Sequence, residues 1–235
     1  RILKKSKNKV KLSFFDLPII EELIDEKIFK ENFNQYRDVF LGFNNLNNKE
    51  MKLPKVKAEL RNYQKQGFKW LDYLHTNSLG GCLADDMGLG KTLQAITLLS
   101  SIYPKEKKST LIVMPKSLLY NWENEIKKFN PKLSYYIYYS DTRDIKEAKE
   151  ANLIITTYSI LRIDIEKFKD ENFYYVILDE SQNIKNVNSQ TSKAVMLLKT
   201  KHRLALSGTP IENNLSELYS LFRFLNPPMF GAFDD

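Results

Sequence analysis

From about residue 55 onward, short runs that are apolar at nearly every position alternate with longer stretches whose apolar residues recur every three or four positions. The short runs are "GGCLA" (80–84), "TLIVMP" (110–115), "SYYIYY" (134–139), "NLIITT" (152–157), "YYVILD" (174–179) and "HRLALSG" (202–208). Runs of this length with no polar face suit strands buried on both sides. The stretches between them, such as "LQAITLLSSIY" (93–103) and "SLLYNWENEIKKF" (117–129), have helical spacing. Strands alternating with helices predict an α/β fold, a mostly parallel sheet sandwiched by helices, whose ligands lie beyond the carboxyl ends of the strands.

Residues 1–52 read differently. "VKLSFFDLPII" (10–20) has a strand-like run, and "EELIDEKIFKENFNQYRDVF" (21–40) has helical spacing at Leu23, Ile28, Phe33 and Tyr36. "GFNNLNNKEMKLP" (42–54) reads as a polar linker. The expected division is a lead-in segment over 1–52, the end of a preceding domain, and one α/β domain over 53–235.

Composition narrows the classes. The 235 residues are 43% hydrophobic and 28% charged, a globular profile. No apolar run approaches the roughly 18 residues of a membrane span, so a membrane partner is not expected. Cys82 is the single cysteine, which excludes an internal disulfide framework and suits a reducing cytoplasm. The net charge of +7 is concentrated: six of the 36 basic residues and none of the 29 acidic ones fall within residues 1–11. The rest is nearly neutral, so nucleic-acid affinity would have to come from local patches. Richness in Lys, Asn and Ile suggests an AT-rich bacterial source, which would place the protein at the nucleoid.

The chemistry begins at "DDMGLGKT" (85–92), between a predicted strand and a predicted helix. The loop Asp85, Asp86, Met87, Gly88, Leu89 and Gly90 would turn backbone N–H groups towards a phosphate at a helix N-terminus. Lys91 would reach the terminal phosphates of a nucleotide, and the Thr92 hydroxyl would ligate Mg²⁺. Asp85 stands where the general phosphate-loop pattern has its first glycine. "YYVILDESQ" supplies the acidic counterpart at the end of another strand. Asp179 would hold Mg²⁺ through its water shell, and Glu180 would position and deprotonate the attacking water.

Taken together, "DDMGLGKT", "DESQ" and "SGTPIENNLSELYSLFRFLNP" resemble the Swi/Snf (sucrose non-fermenting) family of helicase-like ATPases in helicase superfamily 2. The family's loop usually reads D-E-M-G-L-G-K-T, so Asp85 follows the family form. The resemblance covers roughly residues 55–230 and implies a RecA-like lobe. "LRNYQKQGFKWL" (60–71) resembles the family's Q motif and would give Gln64 the adenine edge. "LIVMPKSLLYNW" and "ITTYSIL" resemble motifs Ia and Ib on the nucleic-acid track. They nominate Lys116, Ser117, Thr157 and Tyr158 as phosphate contacts, with strand-end capping an equal alternative for all four. "LSGTP" resembles motif III and nominates Ser207 and Thr209, with Gln182, as the link between nucleotide state and DNA grip. Gln182 stands where the family more often has His. Asn214 and Glu217 have capping-box spacing before a helix with apolar Leu218, Leu221, Phe222 and Leu225. His75 and His202 read as structural, and Tyr135–Tyr139 as a strand with a base-stacking platform as the alternative.

Such motors close two RecA-like lobes over ATP, and the chain stops at "NPPMFGAFDD", where the family's first lobe ends. The expectation is a first lobe that binds ATP weakly and hydrolyses it slowly, its partners being the second lobe, double-stranded DNA and a protein substrate bound to that DNA. Two other readings compete: an RNA-directed or strand-separating helicase of the same superfamily, and a non-catalytic nucleotide- or DNA-binding module.

Overall fold

The computed structural model of the protein describes residues 12–13, 50–84, 90–208 and 215–227. The expected helix at 21–40, most of the 42–54 linker, loop residues Asp85–Leu89, and Thr209 and Asn214 lie outside them. The elements are β1 (Leu12–Ser13), α1 (Asn62–Thr76), β2 (Gly81–Ala84), α2 (Lys91–Ile102), β3 (Thr110–Met114) and a 3-10 turn at Lys116–Leu118 running into α3 (Leu119–Phe129). Then come β4 (Tyr135–Tyr138), α4 (Ile145–Ala148), β5 (Leu153–Thr157), α5 (Tyr158–Ile163), α6 (Ile165–Phe168) and β6 (Asn172–Leu178). A second 3-10 turn (Ser181–Ile184), α7 (Gln190–Met196), β7 (Lys199–Ser207) and α8 (Leu215–Leu225) complete the order.

One sheet runs β1-β2-β7-β6-β3-β5-β4. The strands from β2 to β4 are parallel, and β1 adds antiparallel to β2 with Leu12 opposite Cys82. Each of the six apolar runs named above is a strand. β2, β3 and β5 are buried at every residue, because helices cover both faces. α1 packs on α2 and α2 on α3, while α5 packs on α7 and α7 on α8. β4 closes the far edge and is only half-buried over Tyr135–Ile137. Within the expected N-terminal strand the described residues are Leu12–Ser13, and these pair with β2.

α8 is core. Leu221, Phe222 and Leu225 are buried, as their spacing predicts. Just past it, the buried Asn226 side chain accepts from the Gly80 N–H at 2.9 Å and donates to the Gly80 carbonyl at 3.3 Å. A Cβ on Gly80 would sit 2.3 Å from the Leu225 carbonyl oxygen, so the glycine is required by close approach. The end of α8 is thereby fastened to the start of β2, the strand that leads into the phosphate loop.

The opposite end of the sheet, away from the strand carboxyl ends, holds the two histidines. His75 Nε2 and the Tyr174 hydroxyl are 2.7 Å apart, and the rings of His75 and His202 lie 4.6 Å apart. His202 stacks on Tyr175 at 5.0 Å, and its buried Nδ1 has no partner among the described residues. Burial, His75, Lys201 and Arg203 push the His202 pKa down to about 4. Burial also lowers His75, with Asp72 opposing and Lys201 assisting. A histidine depressed in the folded state contributes stability that is complete above about pH 6.5 and is lost as pH falls towards the folded value. Each unit of depression corresponds to about 1.4 kcal/mol. His202→Phe, which keeps a ring but cannot titrate, should therefore lose less melting temperature than the parent between pH 7 and pH 5. Equal acid sensitivity in the two proteins would show that the pair carries no such linkage.

Candidate nucleotide site

Parallel strands deliver their carboxyl ends to one edge, and the nominated residues collect there. Gly90 adopts φ 76°, the left-handed conformation that opens α2, and Lys91 and Thr92 are the first residues of that helix. β2 pairs with β7 so that Ala84, the last residue before the loop, lies beside Ser207. Ser207 is buried. β6 ends one residue before Asp179, whose N–H donates to the Val113 carbonyl at 2.8 Å and ties it to β3.

Asp179 is 6% exposed and both its oxygens are held. The Trp122 indole N–H donates to Oδ2 at 2.8 Å, and the Glu180 N–H donates to Oδ1 at 2.8 Å. Burial raises the Asp179 pKa above the ordinary carboxylate range. The Trp122 and Glu180 hydrogen bonds oppose this, the Glu180 charge adds to it, and Lys91 opposes it. Lys91 therefore lies close enough for its charge to act on Asp179. Glu180 itself is left-handed, φ 49°, which turns its carboxylate off the strand line. Gln182 donates to Glu180 Oε2 at 2.5 Å. Gln182 Oε1 is buried with no partner among the described residues. Gln182 thus meets Glu180 directly, and its free acceptor faces no donor from Ser207.

Gln64 is buried in the first turn of α1, where its Oε1 accepts from the Arg61 N–H at 2.9 Å. Its Nε2 stands 2.6 Å from where a Cβ of Gly90 would be, so the Q-motif side chain abuts the phosphate loop. Gly67 of α1 meets Gln94 of α2 so closely that a Cβ there would overlap Gln94 Oε1 at 1.8 Å. Gln94 Nε2 in turn donates to the Gly90 carbonyl at 3.4 Å.

The four nucleic-acid candidates divide. Lys116 and Ser117 are exposed in the 3-10 turn after β3, and Lys116 Nζ lies 5.4 Å from the centre of the Tyr139 ring. Thr157 and Tyr158 are buried at the end of β5. The Thr157 hydroxyl accepts from the Ile160 N–H and caps α5. The Tyr158 hydroxyl donates to the Asp179 carbonyl at 2.7 Å. Their side chains are therefore not available to phosphates, because a buried hydroxyl needs an internal partner. The capping alternative describes Thr157, and Tyr158 buttresses the acidic residue instead. The tyrosine platform is likewise engaged: Tyr135 donates to Glu123, Tyr138 to Asp164, and the Tyr136 hydroxyl accepts from the Asp144 N–H.

One residue at the site escaped the sequence reading, Trp122 of α3, whose indole holds Asp179. The periodicity of Leu119, Trp122 and Ile126 marks a core face. The available signal was chemical, since a buried indole needs an acceptor.

A profile of the SNF2-related domain matches residues 63–235. The chain is 40% identical over 186 residues to a protein of Bacillus subtilis named as a putative ATP-dependent helicase/translocase, covering 76% of this chain and 20% of that protein. It is 36% identical over 224 residues to an ATP-dependent helicase of Mycoplasma pneumoniae, covering 93% and 20%. It is 41% identical over 183 residues to the helicase SWR1 of Eremothecium gossypii, covering 74% and 12%. Among solved structures it is similar to the Sulfolobus solfataricus SWI2/SNF2 ATPase core in complex with double-stranded DNA. The TM-score is 0.71 at 41% identity, over 76% of this chain and 38% of that one. The chain thus spans a fifth or less of these three protein relatives and 38% of the solved ATPase core.

Proposed function

We propose, on the premise that the chain belongs to the SNF2-related domain family, that residues 53–235 are the first RecA-like lobe of a motor that couples ATP hydrolysis to translocation on double-stranded DNA. The observation that carries this is the meeting of Lys91, Thr92, Asp179 and Glu180 at the carboxyl ends of parallel strands, with the Lys91 charge acting on Asp179. Duplex DNA as the track is supported by the solved relative bound to it. Residues 1–52 are then a lead-in to the lobe, and the site is completed by a second lobe of a longer protein acting in the cytoplasm. Among the described residues no helix is long and apolar enough to cross a membrane.

The residues fit the Mg²⁺ salt of ATP. Gly90 to Thr92 present a helix N-terminus to the phosphates. Asp179 keeps a carboxylate at the cation, and Gln182 Oε1 is a buried acceptor still to be filled. Bound Mg²⁺ would neutralise phosphate charge as it shifts to the leaving oxygen. Glu180, steered by its left-handed backbone and by Gln182, takes the proton of the attacking water. Gln64 orients the base from beside Gly90. Ser207 and Thr209 pass the change in the γ-phosphate towards the DNA side, and Lys116 and Ser117 face that side. A lobe without its partner lacks the opposing cationic residues, which in related phosphoryl-transfer enzymes contribute about 10³–10⁵ in rate. The isolated chain therefore turns over slowly.

The test is ATP hydrolysis by the complete protein, alone and with duplex DNA, single-stranded DNA or RNA, with Lys91→Ala as control. Strong stimulation by duplex, abolished in the variant, is the expected result. Stimulation by RNA or single strands instead would make the protein a strand-directed helicase. A folded protein with no turnover under any condition would be a binding module.

A further inference from the structure

Glycine weakens the interior of a helix relative to alanine, so a glycine kept there marks a place where a neighbour comes close. Gly67 lies inside the 15-residue α1 and is buried. One turn separates it from Gln64 on α1, and one turn separates Gly90 from Gln94 at the start of α2. Residues three and four apart share a helix face, so each helix offers the other one glutamine and one glycine. The pairs are crossed. Gln64 Nε2 lies 2.6 Å from where a Gly90 Cβ would be, and Gln94 Oε1 lies 1.8 Å from where a Gly67 Cβ would be. Each amide occupies the space that a side chain on the facing glycine would need.

Both amides are also held from behind. Gln64 Oε1 accepts from the Arg61 N–H at 2.9 Å. Gln94 Nε2 donates to the Gly90 carbonyl at 3.4 Å, the same carbonyl that accepts the Gln94 N–H at 3.0 Å. Gln94 is 1% exposed, and a side chain in a close-packed interior has little room to retreat. A methyl at Gly67 would meet Gln94 at both Oε1 and Cδ. It is accommodated by moving the Gln94 amide off Gly90 or by moving α1 off α2. Either movement changes what Gln64 rests on, because Gly90 is both the residue that Gln94 holds and the residue that Gln64 abuts.

The place of Gln64 matters for the base. An amide with its acceptor and donor side by side matches the amino group and N7 of adenine, whereas guanine presents two acceptors at that edge. We infer that Gly67 and Gln94 are positioning residues for nucleobase selection: their contact sets the separation of α1 from α2, and so holds the Gln64 amide at one distance from the phosphate loop, where it accepts adenine and turns guanine away. The inference rests on the nucleotide reading above, in which Gln64 meets the base, and names what decides how sharply it reads. The effect of both residues runs through Gln64.

The readout is the ratio of ADP to GDP affinity in the complete protein, measured by calorimetric titration with each nucleotide in the presence of Mg²⁺. A bidentate amide–base pair discriminates by about 5- to 150-fold, so Gln64→Ala should bring the ratio close to one. Gly67→Ala should lower it by about 5-fold or more. Gln94→Ala, which takes away the brace, should lower it in the same direction. In the double variant the new methyl fills part of the space the amide leaves, and the ratio should lie nearer the parent than in either single variant. Independent losses of packing would add instead. Should Gly67→Ala not fold, Gln94→Ala carries the test. A parent-like ratio in either folded single variant, with the preference lost in Gln64→Ala, would overturn the inference and leave the nucleotide site standing. A double variant worse than both singles would reduce the contact to packing. Preference retained in Gln64→Ala, or absent in the parent, would remove the residue through which both are said to act. A parent that binds neither nucleotide, or a Lys91→Ala variant that binds both as the parent does, would sink the nucleotide reading itself, and this one with it.

Discussion

Glu180→Gln lowers DNA-stimulated ATP turnover by about 10²–10⁴-fold, the range over which a positioned general base contributes, and leaves nucleotide affinity close to that of the parent. The amide has the same shape and can still accept from Gln182, whose Nε2 stands 2.5 Å from Glu180 Oε2. What it loses is the capacity to take a proton from water. Asp179, held by Trp122 and by the backbone, keeps its place beside Lys91 in the variant. Single-turnover hydrolysis read together with nucleotide binding separates the two effects. Turnover within tenfold of the parent would remove Glu180 from the role of base. A parallel loss of binding would make it a nucleotide-holding residue.

Asp164→Ala should cost about 2 kcal/mol of stability, because the fully buried Tyr138 phenol loses its acceptor. That corresponds to roughly 4–8 °C in melting temperature for a domain of this size. Asp164 is 6% exposed and accepts from Arg143 Nε at 2.6 Å, Arg143 Nη2 at 3.2 Å and the Tyr138 hydroxyl at 2.7 Å. Truncation strands the guanidinium and the phenol together. Burial alone would raise this carboxyl, but Arg143, Tyr138 and Lys167 hold it below the ordinary range. A depressed carboxylate stabilises above its unfolded pKa of about 3.9 and loses that contribution as pH falls through the folded value. The gap between parent and variant should thus be full at pH 7 and close below about pH 4. A gap unchanged in acid would mean that lost packing, not charge pairing, sets the cost. The cluster also matters for the site's outer edge, because it fixes the turn after β4 that carries Tyr139 beside Lys116.

Strand existence was legible because strands buried on both faces, such as β2, β3 and β5, leave short runs apolar at nearly every position, and each of the six apolar runs is a strand. Lys91, Asp179 and Glu180 were legible as candidates because the chemistry they would carry admits few residue types. For Thr157 and Tyr158 motif position left phosphate contact and a structural role open, and the side chains take internal partners. At a strand end a hydroxyl that could face solvent or backbone is decided by burial, which motif position does not reveal. Trp122 was missed for the converse reason: an apolar position on a helix reads as packing until the fold shows its indole meeting Asp179. Gly80 and Asn226, far apart in sequence, carry no local signal of their contact at all.

The left-handed backbone at Glu180 has a consequence for descent. A β-carbon at φ 49° is tolerated at a cost of about 1 kcal/mol or more, and glycine or asparagine would remove most of it. On the proposed role of Glu180, selection for hydrolysis would keep a glutamate there. A duplicate of this gene released from that selection would gain stability by drifting to Gly or Asn at position 180 before anything else in the sheet had reason to change. The residue at that one position is therefore a marker, readable in any related sequence, of whether a lobe of this kind still turns over ATP.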